Sequence, residues 1–376
     1  MKFKVNPKDL GDAVAWTAKS LPARPAIPVL AGLMLRVDGG RLTLSAFDYE
    51  ASNEVALEVD GASDGAALVS GRLLSEIVKA LPAKTVEIAS AGAHLELVCG
   101  SARFSLPTMP AEDYPQLPAM PPSSGTVAAA EFATAVAQVA IAAGRDDTLP
   151  LLTGIRIEVA GDVLTMLGTD RYRLALREMR WTPADPDASL NLLVPAKNLH
   201  DSAKSLGPVG GDVHLALTGS GNGEGMVGLV AGTRRTTSRL LDGANYPPVR
   251  SLFPSSFKAE ARVNVAALTE VVKRIALVAE RATPVLLDFT ADTLIVSAGG
   301  PEEARGSEAM DATFTGEPLT AAFNPQYLLD GLSQLGAPTA AFWFVDANKP
   351  AVIEPADGGG NVLPGYRYLI MPIRIR

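Results

Sequence analysis

The chain has 376 residues, 47% of them hydrophobic and 20% charged, so it exceeds what one hydrophobic core supports and is expected to hold two or three domains. No apolar run reaches the ~18 residues that span a bilayer, the opening Met-Lys-Phe-Lys-Val-Asn-Pro lacks a signal-peptide core, and the single cysteine, Cys99, has no disulfide partner; a cytoplasmic protein is expected. The net charge of −8, from 41 acidic and 33 basic residues, argues against a general phosphate-coating DNA binder, so any basic surface for nucleic acid must be locally gathered.

In chain order, an amphipathic helix is predicted over 9–20, then β-patterned residues at 33–37, then a second helix opening at Ser70, a good N-cap. The order restarts with a helix over 131–144, where Phe132, Val136, Val139 and Ala140 form one apolar stripe, a strand over 155–159 and a helix near Pro195. A third round has a helix over 265–280, a strand over 294–297 and a helix opening at Asn324 and Pro325. Markers keep a fixed spacing: Pro28 and Pro150 lie 122 residues apart, as do Asp48 and Asp170. Arg72 and Lys197, like Lys79 and Lys204, lie 125 apart. A whole folding unit is therefore repeated, with loops absorbing the drift. Segments rich in Pro, Gly or Ser at 115–126 and 242–258 mark the junctions, which places domains at 1–122, 123–256 and 257–376. The fold class is α+β, with helices segregated on one face of antiparallel sheets.

No catalytic constellation emerges. His94, His200 and His214 share no metal-ligand spacing, so neither a metal nor a cofactor is expected. Gly223-Glu-Gly225-Met-Val-Gly228 matches a dinucleotide pattern in letters only, because a strand-like run follows where a helix is needed; a hairpin loop is expected. Cys99 ends an alternating strand and reads as a buried structural thiol.

The basic residues say more. Arg72 and Lys79 on one predicted helix, and Lys197 and Lys204 on its repeat, lie seven apart, nearly two turns, so each pair shares a helix face. One pair alone reads as a solvated face; two pairs at one offset point to a shared positive surface. Arg145, Lys273, Arg274 and Arg281 could extend it. Elsewhere, Gly168-Thr-Asp-Arg-Tyr-Arg-Leu-Ala-Leu176 predicts a tight polar bend between strands. The tail Tyr368-Leu-Ile-Met-Pro-Ile-Arg-Ile-Arg376 is apolar but broken by Pro372, which predicts a sheet edge with Met371 and Ile373 partly accessible.

Five motifs in order carry a resemblance: Ala23-Arg-Pro-Ala-Ile-Pro-Val-Leu-Ala-Gly32, Thr169-Asp-Arg-Tyr-Arg-Leu-Ala175, Asp242-Gly-Ala-Asn-Tyr-Pro247, Phe323-Asn-Pro-Gln-Tyr327 and Tyr368-Leu-Ile-Met-Pro-Ile-Arg374. Over its whole length the chain resembles the β subunit of bacterial DNA polymerase III, the replicative sliding clamp family. The resemblance implies a non-catalytic processivity factor: a head-to-tail homodimeric ring around duplex DNA that binds the replicative polymerase, clamp loader and repair proteins through short peptides. It implies a DNA-facing lining of Arg24, Arg72, Lys79, Arg145, Lys197, Lys204, Lys273 and Arg281. It implies a peptide pocket of Leu152, Thr169, Arg171, Tyr172, Arg173, Leu174, Pro247, Leu252, Asn324, Tyr327, Met371, Pro372, Ile373 and Arg374. Arg171 stands where some relatives have glycine, and Ser251 where some have arginine. The implied dimer interface joins Ile77, Phe104 and Leu106 to Leu277 and Val278, with Glu302, Glu303 and Glu308 facing basic residues across it. Two alternatives remain at this point: a divergent second clamp copy that substitutes for a housekeeping one, and an enzyme that holds a nucleotide in the glycine-rich loop at 219–228.

Overall fold

The computed structural model describes residues 1–219, 223–279, 283–300 and 304–374. Within them one order of elements runs three times: a strand, a helix, five strands, a second helix and three strands. The helices are α1 (Pro7–Thr17), α2 (Gly71–Lys79), α3 (Ala129–Ala140), α4 (Ala196–Leu206), α5 (Val265–Ile275) and α6 (Pro325–Ser333).

Side-chain caps start four of them. Asn6 accepts from the Lys8 N–H, Ser70 from Leu73, Asn264 from Ala267, and Asn324 from both Gln326 and Tyr327. Pro195, expected at a helix start, instead closes the Ser189–Pro195 strand, and α4 follows it. The first helix of each repeat is shorter than its apolar pattern predicts, because its end tightens into i→i+3 bonds: Leu21 to Ala18, Ala143 to Ala140 and Ala279 to Ala276. Buried residues recur at helical spacing, as Leu10, Ala13, Val14 and Thr17 do on α1 and Leu268, Val271, Val272 and Ile275 on α5. Each large side chain so buried contributes about 1.5–3 kcal/mol. On α6, Gly331 permits close approach, since a Cβ there would lie 2.5 Å from the Tyr368 ring.

The contacts divide the chain into two compact units. The first comprises Met1–Ala133, Trp181–Pro186 and Asn198–Leu240, and its strands form one 14-stranded sheet. There the Arg234–Arg239 strand adds antiparallel to Ala51–Glu58, with Arg234 opposite Val55. The second unit holds a nine-stranded and a four-stranded sheet. There Tyr366–Ile370 adds to Arg173–Arg180, with Tyr366 opposite Arg177. These two joins are one join made twice: the last strand of a repeat extends the third strand after the first helix of the repeat before it. The corresponding strands left over are Ala102–Met109 and Gly306–Asp311. The former meets Gly65–Ser70 only at Thr108 and Met109, and the latter pairs on one side alone.

The C-terminal strand corrects an expectation. It lies inside its sheet, between Arg173–Arg180 and Ala351–Ala356, and not at an edge. Pro372 falls beyond its end at Ile370, so the missing N–H costs no ladder bond. Met371 and Ile373 are nonetheless accessible, at 39% and 38%.

The chain after each of the first two repeats folds back on a sheet face. Tyr114 packs with Met34, Phe47 and Leu68, and Tyr246 with Leu167, Leu174, Leu176 and Leu193. Cys99 is buried, its thiol directed at the carbonyls of Pro82 and Lys84. The glycine-rich segment belongs to a hairpin, Gly219 pairing with Gly225, and its residues 220–222 lie outside the described set.

Candidate functional site

The bend between the Val163–Thr169 and Arg173–Arg180 strands is built by its own polar side chains. Oδ1 of Asp170 accepts the N–H groups of Tyr172 at 3.0 Å and Arg173 at 3.1 Å. The Thr169 hydroxyl donates to the Arg173 carbonyl at 2.6 Å and accepts from the Arg171 N–H at 3.2 Å. With its ends so fixed, the turn forces Arg171 into the left-handed region, φ 82°, and leaves Arg171 and Tyr172 exposed. Thr169 itself is 4% exposed, so it shapes the wall from within.

Arg173 turns inward and is 6% exposed. Its Nε donates to Asp170 Oδ2 at 2.8 Å and its Nη1 to Asp330 Oδ2, while Gln326 holds the other Asp330 oxygen at 2.7 Å. Burial alone lowers the Arg173 pKa, but Tyr368 and the hydrogen bonds to Asp330 and Asp170 outweigh it, and the guanidinium stays charged. Four side chains then stack in sequence. Arg171 lies 5.7 Å over the Tyr172 ring, Tyr172 stacks on Tyr327 at 6.1 Å, and Arg173 lies 4.5 Å over Tyr327.

This stack walls a cavity of ≈580 Å³, to which Leu149, Leu152, Gly144, Arg145 and Asp146 also contribute. Such a volume suits a few extended side chains of a peptide. Beside it, the tail is tied to the bend by the Met371 N–H to the Tyr172 carbonyl at 2.8 Å, and to the sheet by Ile373 to Ala322 at 2.8 Å. Met371, Pro372, Ile373 and Arg374 are thereby presented at the surface, as are Pro247 and Leu252, the latter 53% exposed.

Several expected site residues are placed differently. Leu174 is 1% exposed and lies in the core beneath the bend, supporting the site without offering it surface. The Asn324 side chain is spent on capping α6, which positions Tyr327. Arg145, expected on the DNA-facing lining, lies in the wall of this cavity because the chain leaves α3 at Ala140 and bends before it. Asp330, Gln326 and Asp146 were not foreseen; they come from elements whose nearness no local spacing encodes.

Of the remaining basic residues, Arg24, Arg72, Lys79, Lys197, Lys204 and Lys273 are all exposed. Arg72 bonds Glu76 at 3.3 Å and Lys273 bonds Glu270 at 2.9 Å, exposed pairs that hold little charge back. The fold adds two cations that the sequence left unmarked. Lys19 and Arg234 sit over the same Trp16 ring, at 6.0 and 5.4 Å. Lys19 bonds the Ser205 hydroxyl, and Arg234 donates to the Ser205 carbonyl at 3.1 Å. Burial lowers the Lys19 pKa, with Arg234 and Lys204 adding to it against the opposing pull of Asp201. Arg281 lies outside the described residues.

Of the expected interface residues, Leu277 is 84% exposed, and Ile77, Phe104 and Val278 are half-buried. Leu106 is 1% exposed, held by the core of its own sheet, and presents no contact surface. Glu308 pairs with Arg274 of the same chain at 2.6 Å. Glu302 and Glu303 lie outside the described residues.

The same architecture occurs in solved structures. The DNA polymerase sliding clamp of Bacillus subtilis superposes over the whole of both chains with a TM-score of 0.90 at 28% identity. A sliding clamp of Pseudomonas aeruginosa bound to griselimycin does so with 0.90 at 26%. The fold is thus that of the DNA polymerase sliding clamps. Residues 1–118, 126–248 and 250–374 match the N-terminal, central and C-terminal domains of the DNA polymerase III beta subunit, and the chain belongs to that family. The beta sliding clamp of Streptomyces coelicolor is 51% identical over the full length of both chains, and the beta sliding clamp homolog GriR of Streptomyces muensis is 41% identical over all of this chain and 99% of its own.

Proposed function

We propose that two copies of this chain close head to tail around duplex DNA and tether the replicative polymerase, the clamp loader and repair proteins, so that the protein is a non-catalytic sliding clamp conferring processivity. The repeated strand join carries this reading. Two of the three last strands find their partner within the chain, and the third, Ala102–Met109, matches the unused Gly306–Asp311 of another copy. In the register of the internal joins, Ala102 stands opposite Glu308 of a second copy. A contact between unlike surfaces that closes on itself makes a ring.

The acidic total then has a reason. A ring retained by topology needs a lining only positive enough to accept phosphates while allowing sliding. Arg24, Arg72, Lys79, Lys197, Lys204 and Lys273 supply it in this reading, with Lys19 and Arg234 added. The groove beside Arg171–Arg173, with Leu252 and Met371, takes the short peptides of partners. Domain boundaries fall in the linkers, at 1–122, 123–256 and 257–376, and replication places the protein in the cytoplasm. The 51% relative, itself called a beta sliding clamp, favours a housekeeping clamp over a divergent second copy.

Retention on nicked circular duplex and its loss on linearisation test the reading, with the clamp loaded beforehand. Equal retention on both forms would sink topological binding. Native mass measurement should find a dimer, and a Phe104→Arg, Leu277→Arg double variant a folded monomer.

A further inference from the structure

Two cations share the Trp16 ring, Arg234 at 5.4 Å from its centroid and Lys19 Nζ at 6.0 Å. Ser205 fixes both. Its carbonyl accepts from Arg234 Nη1 at 3.1 Å, and its hydroxyl accepts from Lys19. Ser205 is 8% exposed and gives its own hydroxyl hydrogen to the Asp201 carbonyl at 2.6 Å, so toward Lys19 it can only accept. An amine held through its N–H in this way keeps its lone pair for another bond. The Lys19 side chain nonetheless stays exposed. Burial lowers its pKa, Arg234 and Lys204 add to this, and Asp201 opposes them, so the free amine is more abundant than on an ordinary lysine. By contrast, Lys4 and Lys273 are set against carboxylates, Glu87 and Glu270, each at 2.9 Å.

We propose that Lys19 is an acylation site, taking its acyl group from a small acyl phosphate that Arg234 and Lys204 bind by the phosphate. The neutral Nζ attacks the acyl carbon, an N–C bond forms, and the C–O bond to the phosphate breaks. Inorganic phosphate leaves with the electron pair and takes one amine proton, and Lys19 becomes an amide with one N–H. The two neighbouring cations favour this anionic donor over a neutral one, because they attract its phosphate and leave the carbonyl beside the amine. Acylation deletes one positive charge from the surface that the function proposed above turns toward DNA; the site itself does not depend on that reading.

The full chain is incubated with acetyl phosphate at mildly alkaline pH, and the remaining amines are then blocked with deuterated acetyl groups. Mass spectrometry of the digested protein gives the acetylation rate at each lysine. Lys19 should react about five- to tenfold faster than Lys4 and Lys273. Added inorganic phosphate should slow Lys19 selectively, and N-acetylimidazole, which carries no phosphate, should favour it by a smaller factor. Arg234→Gln should bring the rate at Lys19 down toward that at Lys4, and Arg234→Lys, which restores the charge, should recover part of it. Reaction at Lys19 no faster than at Lys4 in the wild-type chain overturns the site, whatever the variants do. A preference for Lys19 that is equal for both donors and survives Arg234→Gln overturns the acyl phosphate as the donor. Neither readout involves DNA, so failure of the ring would leave the result standing.

Discussion

The bends at Asp48–Ala51 and Asp170–Arg173 share one backbone and diverge in what they hold. In both, an aspartate Oδ1 accepts the N–H groups two and three residues on, 2.9 and 2.7 Å in the first, 3.0 and 3.1 Å in the second. In both, the residue after the aspartate is left-handed, Tyr49 at φ 73° and Arg171 at φ 82°, and these are the only non-glycine residues of that kind among those described. The first bend ends in Ala51 and a ring contact between Phe47 and Tyr49 at 5.5 Å. The second ends in a buried arginine between two carboxylates and a cation–ring stack. Duplication thus preserved the hydrogen bonds that make the turn, and side chains outside those bonds were free to become a groove.

The largest effect should come from removing the residue that differs most. Arg173→Ala strands Asp170 and Asp330 in a site 6% exposed at the arginine, which should cost about 3–5 kcal/mol in chemical unfolding. Asp48→Ala loses only the turn's two N–H bonds, about 1–2 kcal/mol. A difference between them of less than about 1 kcal/mol would mean that the buried arginine is solvated in some other way.

The next effect separates the two linkers. Burial raises the pKa of both Tyr114 and Tyr246 to about 12, but Tyr114 accepts the Phe47 N–H at 2.8 Å while the Tyr246 hydroxyl has no hydrogen-bond partner among the described residues. Unfolded tyrosines lose their protons near pH 10 and the folded ones near pH 12. The unfolded chain therefore binds fewer protons in that window, and stability falls as pH rises through it, by about 2–3 kcal/mol per tyrosine. A flat stability profile across that range would show that neither hydroxyl is shielded. At neutral pH, Tyr114→Phe should cost about 1–3 kcal/mol by orphaning the Phe47 N–H, and Tyr246→Phe close to nothing. Equal costs would contradict the hydrogen-bond difference.

What the sequence made legible follows the same division. The polar run at 168–173 announced the second bend, and the 122-residue offset pairs its Asp170 with Asp48, because an aspartate that builds a turn acts on residues two and three away and leaves a local pattern. The helix order and the N-caps at Ser70 and Asn324 were readable for the same reason. Asp330 as the partner of Arg173, Arg234 over Trp16 and the interior place of the C-terminal strand were not. Each depends on residues at least 150 positions apart brought together by strand addition, and no spacing within a helix or hairpin announces them. Leu106 and Leu174 misled in the opposite way, since an apolar residue in an alternating strand reads alike whether it faces a partner or its own core.

The smallest effect is the sharpest test of what the shared backbone costs. A left-handed conformation disfavours a non-glycine residue by about 1–2 kcal/mol, so glycine at either position relieves strain while loosening the unfolded chain. Arg171→Gly loses a cation–ring contact at an exposed site, worth about 0.5–1 kcal/mol, and should end slightly more stable or unchanged in urea unfolding. Tyr49→Gly also loses its edge-on contact with Phe47, about 0.5–1.5 kcal/mol plus buried area, and should end less stable than its counterpart. The order of the two variants matters more than either value. If Tyr49→Gly proved the more stable, the Phe47 contact would contribute nothing and the strain at the first bend would exceed that at the second. The expected order implies instead that Tyr49 contributes more to the packing of its own repeat than Arg171 does to its bend.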